Sequence, residues 1–145
     1  VEVTTPREIE ERIEVIRRRQ AFEGDTTAFM KRWRAADTRT RKKIPAAREA
    51  LSAIETPEAV MRDASGLCIA LGSDGLRGEL VLLRAARALA AFEGKNSLEQ
   101  GHLRRLASMA LSHRLRRDPL DEAGTATRIA RAVAEHFGPT LAAAE

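Results

Sequence analysis

The chain has 145 residues, 43% of them hydrophobic, 32% charged and 3% aromatic, with 25 Lys+Arg against 21 Asp+Glu, a balance that argues for one compact domain with an aliphatic core and against disorder. A single cysteine, Cys68, excludes an internal disulfide framework and a thiolate metal cluster and points to a reducing, cytoplasmic setting. No stretch approaches 18 consecutive apolar residues and no secretory signal opens the chain, so neither a membrane span nor secretion is expected.

Val1-Glu2-Val3 reads as the end of a strand, and with no initiator methionine before it the chain reads as a piece of a larger protein. Thr5-Pro6-Arg7-Glu8 has the form of a capping box with proline at the first helical position. The helix it predicts carries Ile9, Ile13 and Ile16 on one stripe and runs to Phe22, before Gly24-Asp25. Phe29, Met30 and Trp33 mark a short second helix capped by Asp25 or Thr26. A third is predicted from Asp37 to Ile54, kinked or restarted near Ile44 because Pro45 lacks a backbone donor. Thr56-Pro57 repeats the cap-then-proline signal ahead of a fourth helix, in which Val60, Ala64, Leu67, Cys68 and Leu71 share a face and Gly72 supplies the terminus. Ser73-Asp74-Gly75 is a turn. The fifth helix, from about Leu76 to Phe92, is apolar around most of its circumference and is predicted to be the buried central element, ending at Gly94. Ser97-Leu98-Glu99-Gln100 reads as another capping box, opening a sixth helix lined by Leu103, Leu106, Ala110 and Leu111 and stopped by Arg116-Arg117-Asp118-Pro119. Ile129, Val133 and Phe137 share a face of a last helix closed by Gly138-Pro139. Without sustained period-2 alternation, the fold class is all-α: a bundle of six to seven helices.

Catalytic signatures are missing. The spacing of His102, His113 and His136 does not suit a zinc site, and there is no phosphate loop, nucleophile elbow or dinucleotide fingerprint. His113 reads as a capping or packing histidine, and Cys68 as a small core side chain. Alone, the chain is expected to catalyse nothing. Its strongest compositional shift is basic: residues 31–48 hold eight Lys and Arg against Asp37, a local net charge of +7. This strip and the Arg114, Arg116, Arg117 cluster fit a solvated face, a contact with an acidic partner subunit, or nucleic acid. Nucleic acid is the least favoured, since Trp33 is the only interleaved aromatic and no recognition helix is identifiable.

The segment from Gly72 to Leu80 breaks two local rules. Arg77 places a cation in the first turn of a helix, where the macrodipole is already positive, and Gly78 lies inside the helix at a cost of roughly 1 kcal/mol relative to alanine. A docked anion would explain both, with free amides at the helix start, glycines allowing close approach and a guanidinium gripping phosphate oxygens. Arg84, seven residues on, would extend the positive strip on the same face. A surface pair between Arg77 and Glu79 or another carboxylate is the alternative.

Leu67 to Gly72, Asp74-Gly75-Leu76-Arg77-Gly78-Glu79-Leu80, Leu83 to Ala91 and His113 to Gly124 together resemble the C-terminal part of the small AAA+ ATPase subunit (I subunit) of magnesium chelatase, and Ile13 to Arg19 resembles the long helix that follows the ATPase core there. The resemblance implies an AAA+ C-terminal lid, with residues 1–36 as linker helices from the core and 37–145 as the helical lid domain. It implies that Arg77 is the sensor-2 residue reading the ATP γ-phosphate, with Arg84, Gly75 and Gly78 as further nucleotide or interface contacts. ATP and Mg²⁺ would be bound mainly by the core. The partners implied are other I subunits in a ring, the D subunit and the H subunit carrying protoporphyrin IX, with no nucleic acid, and the reaction is Mg²⁺ insertion in (bacterio)chlorophyll synthesis. A D-subunit or MoxR-type lid, and a basic all-α adaptor or nucleic-acid-binding module, are the alternative readings.

Overall fold

The computed structural model describes residues 5–73, 75–113, 115 and 124–138. The expected strand end at Val1-Glu2-Val3, Asp74 of the turn, the Arg114, Arg116, Arg117 cluster, the Pro119 stop and Pro139 lie outside them. Among the described residues the structure is all-α as predicted, with six α-helices and one 3-10 turn, and the chain divides into two compact units, Val1–Pro45 and Ala46–Glu145.

In the first unit, α1 spans Ile9–Gly24. It starts later than the Thr5 box predicts. Glu8, in extended conformation and without a side-chain cap bond, is the N-cap, and its carbonyl takes the first-turn bond from the Arg12 N–H at 3.1 Å. Glu10 and Glu11 then lie in the first turn, where the helix dipole favours acids. The predicted second and third helices are one element, α2, Thr26–Ala50, with Pro45 inside it. Nothing between Trp33 and Asp37 breaks a helix, because Arg34, Ala35 and Ala36 are all good formers. Pro45 removes one donor near the end of a 25-residue ladder, and the neighbouring bonds carry the helix on to Ala50. Asp25 is the cap: its Oδ1 accepts the Ala28 N–H at 2.9 Å. Phe22 meets Phe29 edge-on at 5.6 Å, Phe29 lies 6.0 Å from Trp33, and the Arg18 guanidinium sits 5.1 Å from the Trp33 ring centre.

In the second unit, the 3-10 turn Leu51–Ala53 leads to α3 (Glu58–Ala70), α4 (Arg77–Phe92), α5 (Gln100–Leu111) and α6 (Thr125–Phe137). Leu67, Cys68, Leu82, Leu103, Leu111 and Ile129 are fully buried at its centre. α4 packs on α3, on α5 and on the 3-10 turn. It is central, as predicted, but one-sided: Leu76 and Leu80 are 73% and 51% exposed, while Leu82, Ala86 and Ala90 face the core. Two of the predicted glycine termini, Gly72 and Gly94, form Schellman motifs. At α3, the Gly72 N–H donates to Ile69 O and the Ser73 N–H to Cys68 O; at α4, Gly94 and Lys95 do the same to Ala91 and Ala90. Gly72 and Gly94 sit at φ +66° and +72°, in the left-handed region that favours glycine.

The capping box ahead of α5 is two residues later than predicted. Glu99 is the N-cap, and its backbone N–H donates to His102 Nδ1 at 3.0 Å. Ser97 instead takes part in a parallel bridge with Glu55, which Ile54, buried against Ala90 and Ala91, holds in place. Because Nδ1 of His102 accepts, the ring proton sits on Nε2, 3.3 Å from Glu93 Oε2 at the end of α4. Arg105 binds the same carboxylate, and its hydrogen bond holds the Glu93 carboxyl below the usual carboxylate range. α6 is fastened at its C-terminus, where Arg104 donates to the Phe137 and Gly138 carbonyls, and where His136 lies against Gly66 of α3.

Candidate functional site

The exposed end of α4 is built by the turn that precedes it. After the Schellman end of α3, Gly75 turns the backbone at φ +68° and Leu76 is the N-cap, without a side-chain cap bond. The first bond of the helix runs from the Leu80 N–H to Leu76 O at 3.1 Å, so the amides of Arg77, Gly78 and Glu79 precede the intrahelical ladder. Arg77 is the first residue of α4 and is exposed. Among the described residues no ion pair or hydrogen bond holds its guanidinium. Arg84, also exposed, lies two turns further on nearly the same face, a rise of about 10 Å along the axis.

The other candidates behave differently. Gly78 is buried, and a Cβ there would stand 2.7 Å from Ser73 Oγ and 3.3 Å from Cys68 Sγ, so its small size has a packing reason: it lets the start of α4 sit against α3 and its terminal turn. Gly75 is exposed and is required by its positive φ. The surface pair Arg77–Glu79 does not form. Glu79 is 9% exposed and its Oε2 has no hydrogen-bond partner, because two residues along a helix turn a side chain about 200° away. From the sequence alone Glu79 is expected only as a surface partner of Arg77. Its position three residues past the N-cap, on the face of Leu82 and Ala86, was the available signal. Cys68 is buried as predicted, and burial together with the charge of Glu79 pushes its thiol up to about 11, which keeps it protonated and unreactive.

The arrangement is an exposed guanidinium beside uncapped amides at the positive end of a 16-residue helix. Its chemistry is anion recognition, and a phosphate oxygen suits both donors.

Residues 61–134 match the AAA lid domain family, about half of the chain. The chain belongs to that family. Relatives of the lid include the magnesium-chelatase 38 kDa subunit of Cereibacter sphaeroides, 60% identical over 135 residues that make up 93% of this chain and 40% of that protein. The subunit of the same name from Rhodobacter capsulatus is 58% identical over 135 residues, 93% of this chain and 39% of that protein. A solved structure described as the complex between subunits BchI and BchD of magnesium chelatase shares 52% identity, covering 82% of this chain and 37% of that one, with a TM-score of 0.38. The lid thus spans about two fifths of the length of the curated relatives it matches. No helix among the described residues is long and apolar enough to cross a membrane.

Proposed function

We propose that this chain is the lid of the ATPase subunit of magnesium chelatase, and that Arg77 reads the γ-phosphate of ATP held by a preceding core. The observation that carries the reading is the exposed guanidinium of Arg77, unpaired among the described residues, at the uncapped start of α4, on the segment Gly75-Leu76-Arg77-Gly78. The 60% identity to a magnesium-chelatase subunit supports the assignment of the parent reaction. In this reading residues 1–36 lead from the ATPase core and 37–145 form the lid. Arg84 extends the positive face, and Gly75 and Gly78 shape the turn and the start of the helix.

The residues fit a nucleotide phosphate. A guanidinium offers paired donors to two oxygens, and the free amides add dipolar stabilisation at the same end. Bound ATP supplies the phosphoryl group whose transfer releases energy. Such transfer is helped mainly by cations placed around the developing charge, and Arg77 is one of them. Because Arg77 rides on a domain separate from the core, loss of the γ-phosphate removes its anchor and frees the lid to move. That motion is the work delivered to partner subunits: other I subunits in a ring, the D subunit, and the H subunit, on which Mg²⁺ enters protoporphyrin IX in the cytoplasm. In this reading the residues holding Mg²⁺ belong mainly to the core.

The test is Arg77→Ala in the full-length ATPase. ATP turnover is expected to fall roughly 10- to 100-fold, the scale of removing one donor to transition-state charge, while the circular dichroism of the isolated chain stays unchanged. Arg77→Lys should recover part of the loss, since the charge returns without the paired donors. Wild-type turnover in a folded Arg77→Ala protein would refute the assignment.

A further inference from the structure

Among the described residues the second unit buries two polar or charged side chains, His102 and Glu79. His102 is satisfied on both ring nitrogens, by the Glu99 N–H and the Glu93 carboxylate. Glu79 is not: with 9% of its surface exposed, its Oε2 has no partner. A carboxylate only accepts hydrogen bonds, and burying one without donors is costly. Its first-turn position recovers part of that cost through the helix dipole. Among the described residues no group donates to Oε2, and the carboxylate charge, second to burial itself, helps hold the neighbouring Cys68 thiol protonated. An apolar side chain of similar size would pack this position better. The sequence therefore places a buried acid, with one oxygen unpartnered among the described residues, two residues beyond the guanidinium that meets the nucleotide in the lid reading.

We propose that Glu79 is the acceptor for a cationic side chain, a guanidinium or ammonium, of the ATPase core, and that this pairing positions the Arg77 end of α4. The inference rests on the lid assignment above. A fixed cation is the partner that the chemistry selects, because a buried carboxylate is best neutralised by a charged donor that brings two or three N–H groups. The turn from Gly72 to Gly75, with two glycines at positive φ, lies next to this end of the helix, and Ser73 within it packs on Gly78. Glu79 does not touch the nucleotide. It is a positioning residue that acts through α4 on Arg77.

Two measurements test this. In the present chain, Glu79→Gln should unfold at or above the wild-type midpoint, because the uncompensated charge is gone. A clear drop would show that the carboxylate is already satisfied inside the chain and would overturn the proposal. In the full-length ATPase, Glu79→Gln should lower kcat for ATP hydrolysis roughly tenfold, the scale of one lost charged hydrogen bond, with KM for ATP within about twofold. Glu79→Asp, which keeps the charge, should recover part of the rate. A wild-type kcat in Glu79→Gln would equally overturn it. Arg77→Ala separates the two ideas. If that variant is impaired and Glu79→Gln is not, the lid assignment stands and this pairing falls; if Arg77→Ala is silent, the assignment itself has failed.

Discussion

The two units are both helical, yet they are held by different forces. Ala46–Glu145 closes over fully buried leucines, a cysteine and an isoleucine, with helix ends tied by glycine termini, an Arg104 clamp and the Glu93–His102 contact. In Val1–Pro45 neither α1 nor that part of α2 buries a single residue. It relies on aromatic contacts among Phe22, Phe29 and Trp33, and on exposed i,i+4 pairs such as Arg18–Glu14 and Arg19–Glu23. Periodicity of apolar residues predicts helix in both cases, but it does not say whether a stripe meets a partner. Ile9 and Ile16 are 71% and 56% exposed, whereas the equally periodic Leu67, Leu71 and Ala64 of α3 are buried.

The largest contrast should come from truncating the core. Leu82→Ala removes a fully buried side chain from the inner face of α4, and such cavities cost about 2–5 kcal/mol. Chemical denaturation followed by circular dichroism should show that loss. A change below 1 kcal/mol would mean that the unit is not organised around this leucine.

Next in size is Gly66→Ala. The added Cβ would stand 2.5 Å from His136 Cε1, in a ring packed edge-on against Phe137 with ring centres 4.8 Å apart, so the imidazole must move against that neighbour. Overpacking of this kind costs about 1–3 kcal/mol. Gly78→Ala is the control. Its closest contact is the hydroxyl of Ser73, the tip of a small rotatable side chain, and alanine recovers roughly 1 kcal/mol of helix propensity. The net change in the unfolding midpoint should therefore be small.

These glycines show what the sequence could and could not disclose. Gly72 and Gly94 were legible as helix ends because a helix terminus needing positive φ has one preferred residue. Gly78 was legible as a violation but not as a packing contact, because its neighbours Ser73 and Cys68 belong to an earlier helix and its turn. Pro45 does not restart the helix, since a missing N–H is a local cost and the intact bonds around it carry the ladder past it. The box at Glu99 was missed because the reciprocal partner is a histidine side chain, outside the usual Ser/Thr and Glu/Gln pattern. Arg77 stood out by its charge in the wrong half of a helix. Glu79 did not, because an acid in a first turn breaks no local rule and only the packing of α4 reveals that it is buried.

A smaller effect concerns pH. The hydrogen bond from Arg105 holds Glu93 below the ordinary carboxylate value of 4.5. A group depressed in the folded state stabilises the protein fully above its unfolded pKa and loses that contribution as pH falls through the folded one. Stability should therefore begin to fade below about pH 4.5, and Glu93→Gln should flatten this part of the pH profile. The pair is partly exposed, with Arg105 59% and Glu93 28% open to solvent, so the difference at neutral pH should be no more than about 1 kcal/mol. Equal acid sensitivity in the variant would locate the acid response elsewhere.

The smallest effect is the sharpest test of the comparison. Ile16 has the helical spacing of a core residue but is more than half exposed, so Ile16→Ala removes little contact. Exposed substitutions away from caps and pairs usually stay within about 0.5 kcal/mol, and alanine is the better helix former. Trp33 is the only tryptophan and lies in the same unit, beside Arg18 and Phe29, so its emission reports unfolding there directly. Ile16→Ala should leave that transition in place. A shift comparable to that of Leu82→Ala would show that the isoleucine stripe is covered in solution, and the distinction between a packed unit and an open one would then have to be redrawn around whatever covers it.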